Sequence, residues 1–210
     1  MAESKKKTGF FGKFLNVLSG KPDDSSEDKE PQGLFSNTKK EPVDLSFVKN
    51  FTASGGKFLY CETEKDAFEF LTKISKESQL NSIFCAESSL QSILHKSGLK
   101  PINDNVQKAD AFCSSCEYLI SFNGGIMITA KQTIGNKLSD LPETFIIIAH
   151  TSQIVENLRA GLTGIRHKYH GDIPSQITTL KGPVTARANE DAGAATCNKE
   201  VYLLLLEDQL

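Results

Sequence analysis

No stretch of this 210-residue sequence approaches the ~18 consecutive apolar residues that a membrane-spanning helix needs. Neither sign of charge dominates: 24 Lys and Arg stand against 26 Asp and Glu, which leaves no global field to gather nucleic acid. Four signatures of self-sufficient chemistry are missing, namely the GxSxG elbow, the P-loop lysine motif, the HExxH zinc helix and the GxGxxG dinucleotide turn. Cysteine is sparse and odd in number, at five, with no secretory context around it. Reduced thiols in a cytoplasmic protein are the expectation. The start has the order of a signal peptide, with Lys5, Lys6 and Lys7 before an apolar stretch at 10–18. Lys13 and Asn16 interrupt that stretch and no small-residue cleavage site follows, so it reads as uncleaved.

What is present divides into three parts. Residues 1–18 form a basic amphipathic segment that places Phe10, Phe11, Phe14, Leu15 and Leu18 at helical spacing. Two roles suit it: peripheral contact with an anionic membrane or partner through Phe10, Phe11 and Phe14, or a tail docked on its own domain. Residues 19–42 are rich in Lys, Asp, Glu, Ser and Pro and read as a disordered linker. Residues 43–210 carry the apolar runs of a folded α/β domain, large enough to bury a core.

Within that domain the pattern alternates. A helix at 44–51 ends at Gly55-Gly56, and a strand at 57–61 follows. Thr63 caps a helix at 64–76, a strand covers 82–86, and a helix at 88–96 closes at Gly98. The βαβα order favours parallel strands covered by helices. A strand at 107–113 comes next. The runs 118–122 and 126–129 then flank Asn123-Gly124-Gly125, a spacing that suits a bulged hairpin. Such a turn either serves packing alone or offers backbone N–H groups to an anion. TFIIIA at 144–149 is the strongest strand, as for the interior of a parallel sheet. Ser152 is expected to cap a helix at 153–162 ended by Gly161 and Gly164, and strands at 177–180 and 201–206 finish the domain.

The chemistry-bearing residues are few. Cys113 and Cys116 form the one CxxC pair, but strand-like flanks and the lack of a second pair favour buried thiols over redox or zinc chemistry. His167 and His170 stand three apart without an obvious third ligand, so no metal is expected. Glu117 is the one carboxylate between Cys113 and Lys137, and its local sequence shows no partner for it. His150 follows TFIIIA and falls at a strand's carboxyl end, where open α/β sheets bind ligands.

Three segments carry a family resemblance. ADAFCSSCEYLISFNGGIMI (109–128), KLSDLPETFIIIAHTSQIVENL (137–158) and ITTLKGP (177–183) with the closing VYLLLLED resemble the lactate-utilisation (LUD) domain, the family of lactate utilisation protein C. The resemblance covers roughly residues 55–206. It implies a three-layer α/β/α domain with a mostly parallel sheet, like the ribose-phosphate isomerase and CoA-transferase group. It places Asn123, Gly124 and Gly125 where the family has a Thr-Gly-Thr turn, and Lys137 where arginine is usual. After Gly182-Pro183 the chain reads VTARANED rather than the family's Ser-Arg-Thr-Ala-Asp, leaving Arg187 and Asp191 as the residues that could stand in.

The expected ligand-binding residues are therefore Asn123, Gly124, Gly125, Lys137, His150 and Arg187, with no catalytic residue assigned. The function that follows is an accessory or ligand-binding component of lactate oxidation to pyruvate. It would act beside iron–sulfur partner proteins, since this chain lacks the cysteines for a cluster. A small anionic metabolite is the expected ligand. No cofactor, no nucleic acid and no catalytic activity of its own are expected. The alternative is a non-catalytic, membrane-associated interaction module with a decayed site, cytoplasmic and peripheral to the inner membrane face.

Overall fold

The computed structural model describes residues 41–183 and 199–208. The readings for the N-terminal segment, most of the linker and Arg187 lie outside the described residues. Contacts separate Met1–Glu41 from a second unit, Pro42–Leu210, and the fold below is that of the second unit.

Helix α1 (Val43–Ala53) buries Leu45, Phe47, Val48 and Phe51 at helical spacing. Strand β1 (Lys57–Cys61) follows. The Thr63 side chain accepts from the Asp66 amide, and the Asp66 carboxylate accepts from the Thr63 amide at 2.8 Å. This reciprocal cap starts α2 (Glu64–Glu77), whose Ala67, Leu71 and Ile74 face inward. Then come β2 (Ile83–Phe84), α3 (Ser88–Lys96), β3 (Pro101–Ile102), β4 (Ala111–Ser114), β5 (Tyr118–Ile120) and β6 (Gly125–Ile128). A single turn, α4 (Ala130–Thr133), leads to β7 (Thr144–His150), β8 (Ile154–Val155), α5 (Leu158–Tyr169), β9 (Thr178–Leu180) and β10 (Glu200–Leu206).

Six strands form one parallel sheet in the order β1-β10-β7-β4-β2-β3. The long apolar runs β7 and β10 pair centrally along their whole length, Thr144 with Glu200 through His150 with Leu206. A buried position there leaves no solvent face, which is why both runs are apolar without alternation. One face of the sheet, with Ile146, Ile148, Leu204 and Leu206, packs on Leu71 and Ile74 of α2 and on Leu90 and Leu94 of α3. The opposite face is equally dry: Phe145, Ile147, Leu203 and Leu205 are fully buried, the Phe84 and Phe112 rings stack, and Phe145 packs tilted against Phe112. Each such side chain contributes about 1.5–3 kcal/mol of burial. The arrangement is the expected α/β/α sandwich around a mostly parallel sheet.

Four further strands form a second sheet in the order β8-β5-β6-β9. Its Ile120 and Met127 meet Ile165 of α5. The residues that alternate with these, Leu119, Ile126 and Leu180, are fully buried on its other face.

Two local expectations differ from the structure. The strand read at 107–113 begins at Ala111, because Asn105 takes a left-handed φ of 49° and starts a 3₁₀ turn at Val106–Lys108. The helix read at 153–162 begins at Leu158, capped by Asn157, whose Oδ1 accepts from the Ala160 amide at 3.0 Å. Ser152 caps nothing; its Oγ donates to Asp208 Oδ1 at 2.7 Å. Gln153 makes one local and one long-range bond: Oε1 accepts from the His150 amide (2.7 Å), and Nε2 donates to the Cys116 carbonyl (2.6 Å). Nor do Gly161 and Gly164 end the helix. They lie inside α5, where an added Cβ would come 3.0 Å from Met127 Cε and 2.3 Å from the Tyr118 hydroxyl. Glycine there lets helix and small sheet approach closely.

Candidate functional site

The connection after β2 runs outward to β3, whereas the connection after β4 runs the other way, toward β7. The chain therefore leaves two adjacent strands in opposite directions, and their carboxyl ends part to form a crevice, the usual ligand position in an open parallel sheet. A cleft of about 400 Å³ fills it, lined by Glu87, Ser115, Cys116, His150 and Lys168 among others. Small-molecule sites commonly span about 300–1,000 Å³.

Two carboxylates reach across the fold beside the cleft, Glu87 in its lining and Glu117 bonded to the lining residue Lys168. Glu87 follows β2 and makes no cap bond to its own helix. Its Oε1 instead accepts from Ser114 Oγ and the Ser115 amide beyond β4, both at 2.8 Å. Glu117 follows β4 and is wholly buried at its side chain. Its Oε1 accepts from Gln132 Nε2 (2.8 Å) and the Tyr169 hydroxyl (2.7 Å), and its Oε2 from Lys168 Nζ (2.8 Å). Gln132 is itself fixed, because its Oε1 accepts from both the amide and hydroxyl of Thr129. Burial alone would push the Glu117 carboxyl up, but the donors from Lys168, Gln132 and Tyr169 outweigh it and hold the group below its usual range. Burial opposes the charge on Lys168, yet its bond to Glu117 wins and raises the ammonium above 10.5. This lysine stays a cation and is not a nucleophilic amine.

At the ends of β7 and β10, Asp208 accepts from Thr151 Oγ1 (2.6 Å) and Ser152 Oγ (2.7 Å). His150 Nδ1 stands 4.0 Å from the same carboxylate. Burial would raise Asp208, but the two hydroxyls and the imidazole hold it low.

A family model described as the LUD domain matches residues 94–206, just over half the chain. The chain belongs to the LUD domain family. The matched span begins within α3 and runs to the end of β10, so it includes three walls of the cleft: β4 with its sequel, β7 and α5. A solved structure with the same fold is a DUF162 family protein from Deinococcus radiodurans, at 17% identity and a TM-score of 0.52, covering 79% of this chain and 95% of that one. A search of curated proteins finds no match.

Within this LUD domain the sequence-read site residues are scattered. His150 lines the cleft. Lys137 is exposed and borders a different cavity of about 220 Å³, together with Thr133, Asn136 and Thr178. The Asn123-Gly124-Gly125 turn packs on α1. Asn50 Nδ2 donates to the Ser121 and Phe122 carbonyls (2.8 and 3.2 Å), and a Cβ on Gly124 would come 2.3 Å from the Phe51 amide nitrogen. Asn123 uses its own Oδ1 to accept from the Gly125 amide at 3.0 Å. Arg187 is outside the described residues.

The CxxC thiols are both buried, and the neighbour that Cys113 hydrogen-bonds is Cys85 at the end of β2 rather than Cys116. His167 is exposed on α5, and His170 ends that helix at φ 44°. Among the described residues no group of three His, Cys, Asp or Glu is placed to hold a metal ion. Reading the sequence missed Glu87 and Lys168, and found Glu117 without its partners. These contacts span from 15 residues (Glu117 to Gln132) to 52 (Glu117 to Tyr169), so no local spacing announces them.

Proposed function

We propose that this LUD-domain chain is a ligand-binding component of lactate utilisation. Its cleft holds a small anionic metabolite, and iron–sulfur partner proteins carry out the oxidation of lactate to pyruvate. The observation that supports this is the position of Lys168: a fixed ammonium at the carboxyl edge of the sheet, half exposed to the cleft and anchored from behind by buried Glu117. A lysine oriented by a glutamate can still offer its remaining N–H groups to a ligand oxygen. Neighbouring His150 and the Ser89 and Ser115 hydroxyls add polar contacts that fix orientation.

The test is calorimetric and thermal titration of the full chain with lactate, pyruvate, ribose 5-phosphate and coenzyme A. A bound ligand at a hundredfold excess over Kd stabilises the fold by about 2.7 kcal/mol, a readily measured rise in Tm. A Tm unchanged by all four compounds, with no heat of binding, rejects the reading.

A further inference from the structure

We infer that Glu87 reads a hydroxyl group on the bound anion, so that the cleft selects a 2-hydroxy acid over the corresponding 2-oxo acid. This rests on the ligand-binding reading above and names the specificity-determining residue of the same site.

The cleft is chemically two-ended. On the α5 side it presents the Lys168 ammonium; on the side of α2 and α3 it presents two carboxylates, Glu64, which is exposed, and Glu87. The ligand's carboxylate belongs at the first end and is repelled from the second. Glu87 is already immobilised, because two donors from the β4 end hold its Oε1 at 2.8 Å each. Its Oε2 accepts from no group among the described residues. An ionised carboxylate has only acceptor sites. A hydroxyl meets that oxygen as a charge-assisted donor, roughly twice as strong as a neutral hydrogen bond. A keto oxygen brings only lone pairs and is repelled. Ser89 and Ser115 donate and accept equally and so do not discriminate. A site that satisfies a substrate hydroxyl with a fixed acceptor rejects the analogue lacking it more strongly than any apolar pocket can.

The experiment is calorimetric titration of each lactate enantiomer and of pyruvate into the full-length protein and its Glu87→Ala, Glu87→Gln and Lys168→Met variants. The wild type is expected to bind one lactate enantiomer at least tenfold more tightly than pyruvate. In Glu87→Ala that preference falls to about twofold while pyruvate binds as well as before or better. Glu87→Gln preserves the bonds to Ser114 and Ser115 and can turn an N–H toward the ligand, so it shifts preference toward pyruvate even if the alanine variant is unstable. Lys168→Met weakens both acids together. A wild type that binds lactate and pyruvate equally overturns the inference and leaves the ligand-binding reading standing. So do Glu87 variants that lose both acids in parallel, which marks a purely structural role. Failure to bind either acid overturns the inference, and the ligand-binding reading falls with it only when ribose 5-phosphate and coenzyme A also fail to bind.

Discussion

Lys168 Nζ lies 2.8 Å from Glu117 Oε2, and the two partners occupy different media: the carboxylate side chain is fully buried, while the lysine side chain keeps 52% of its surface exposed. The asymmetry decides which partner suffers when the pair is broken. Lys168→Met leaves a buried charge with only Gln132 and Tyr169 as donors, whereas Glu117→Gln leaves an ammonium that water can reach.

Lys168→Met is therefore expected to destabilise the domain by about 1.5–3 kcal/mol, the value of a hydrogen bond to a charged group. The double variant Lys168→Met with Glu117→Gln is expected to recover part of that loss, because the orphaned charge is gone. Urea unfolding of the four proteins gives the coupling directly. Strictly additive losses would show that the pair does not couple.

The same carboxylate sets an acid limb. The folded Glu117 titrates below its ordinary value of 4.5, so the unfolded chain takes up the proton first as pH falls. The stabilisation is fully present above that value and is lost as pH drops through the folded value. Tyr169 and Lys168 both titrate upward in the fold, above 10.0 and 10.5. Their contributions are present below those values and disappear at more alkaline pH. Urea midpoints should fall more steeply between pH 5 and pH 3 in the wild type than in Glu117→Gln. Parallel curves would remove Glu117 from the acid limb.

Much of the fold was legible because its signals are local. Thr63 followed by Asp66 marks a helix start from four residues, and TFIIIA and VYLLLL announce interior strands by apolar continuity alone. The errors share one cause. Ser152-Gln153 looks like a helix start, yet both side chains are taken by groups far along the chain, at Asp208 and Cys116. Gly161 and Gly164 look like helix stops, yet Met127 and Tyr118 need the space a side chain would fill. Tertiary demand overrides local propensity at these positions. The cleft is harder still to read, since Glu87, Glu117 and Lys168 acquire meaning only when β2, β4 and α5 converge.

The thiols should be inert in the folded protein. Cys61, Cys85, Cys113 and Cys116 are all buried, and burial pushes the Cys61 thiol up to about 12. The Cys116 thiol rises for the same reason, with the Glu117 and Glu87 charges adding to it. Thiolate is the reactive species, so Cys61, Cys113 and Cys116 should not take up iodoacetamide without denaturant; the Cys85 thiol is lowered by its hydrogen bond with Cys113 and is shielded by burial alone, and all four should react in urea. Peptide mapping by mass spectrometry separates them from Cys197, which lies outside the described residues. Rapid native labelling at Cys113 or Cys116 would restore a redox role for the CxxC pair.

Gly124 and Gly98 both hold left-handed backbone, at φ of 65° and 75°, but they differ in what surrounds them. Nothing lies within 4 Å of a Cβ built on Gly98, whereas one on Gly124 would stand 2.3 Å from the Phe51 nitrogen and 2.5 Å from the Asn50 carbonyl carbon. Gly98→Ala therefore isolates the backbone term, about 1–2 kcal/mol. Gly124→Ala adds overpacking against α1, about 1–3 kcal/mol more, because backbone atoms cannot swing aside as a side chain can. In a domain of this size each kcal/mol lowers Tm by roughly 2–4 °C, so calorimetry should rank Gly124→Ala clearly below Gly98→Ala. Equal Tm values would mean that the turn is free of α1 and open to serve as a ligand loop.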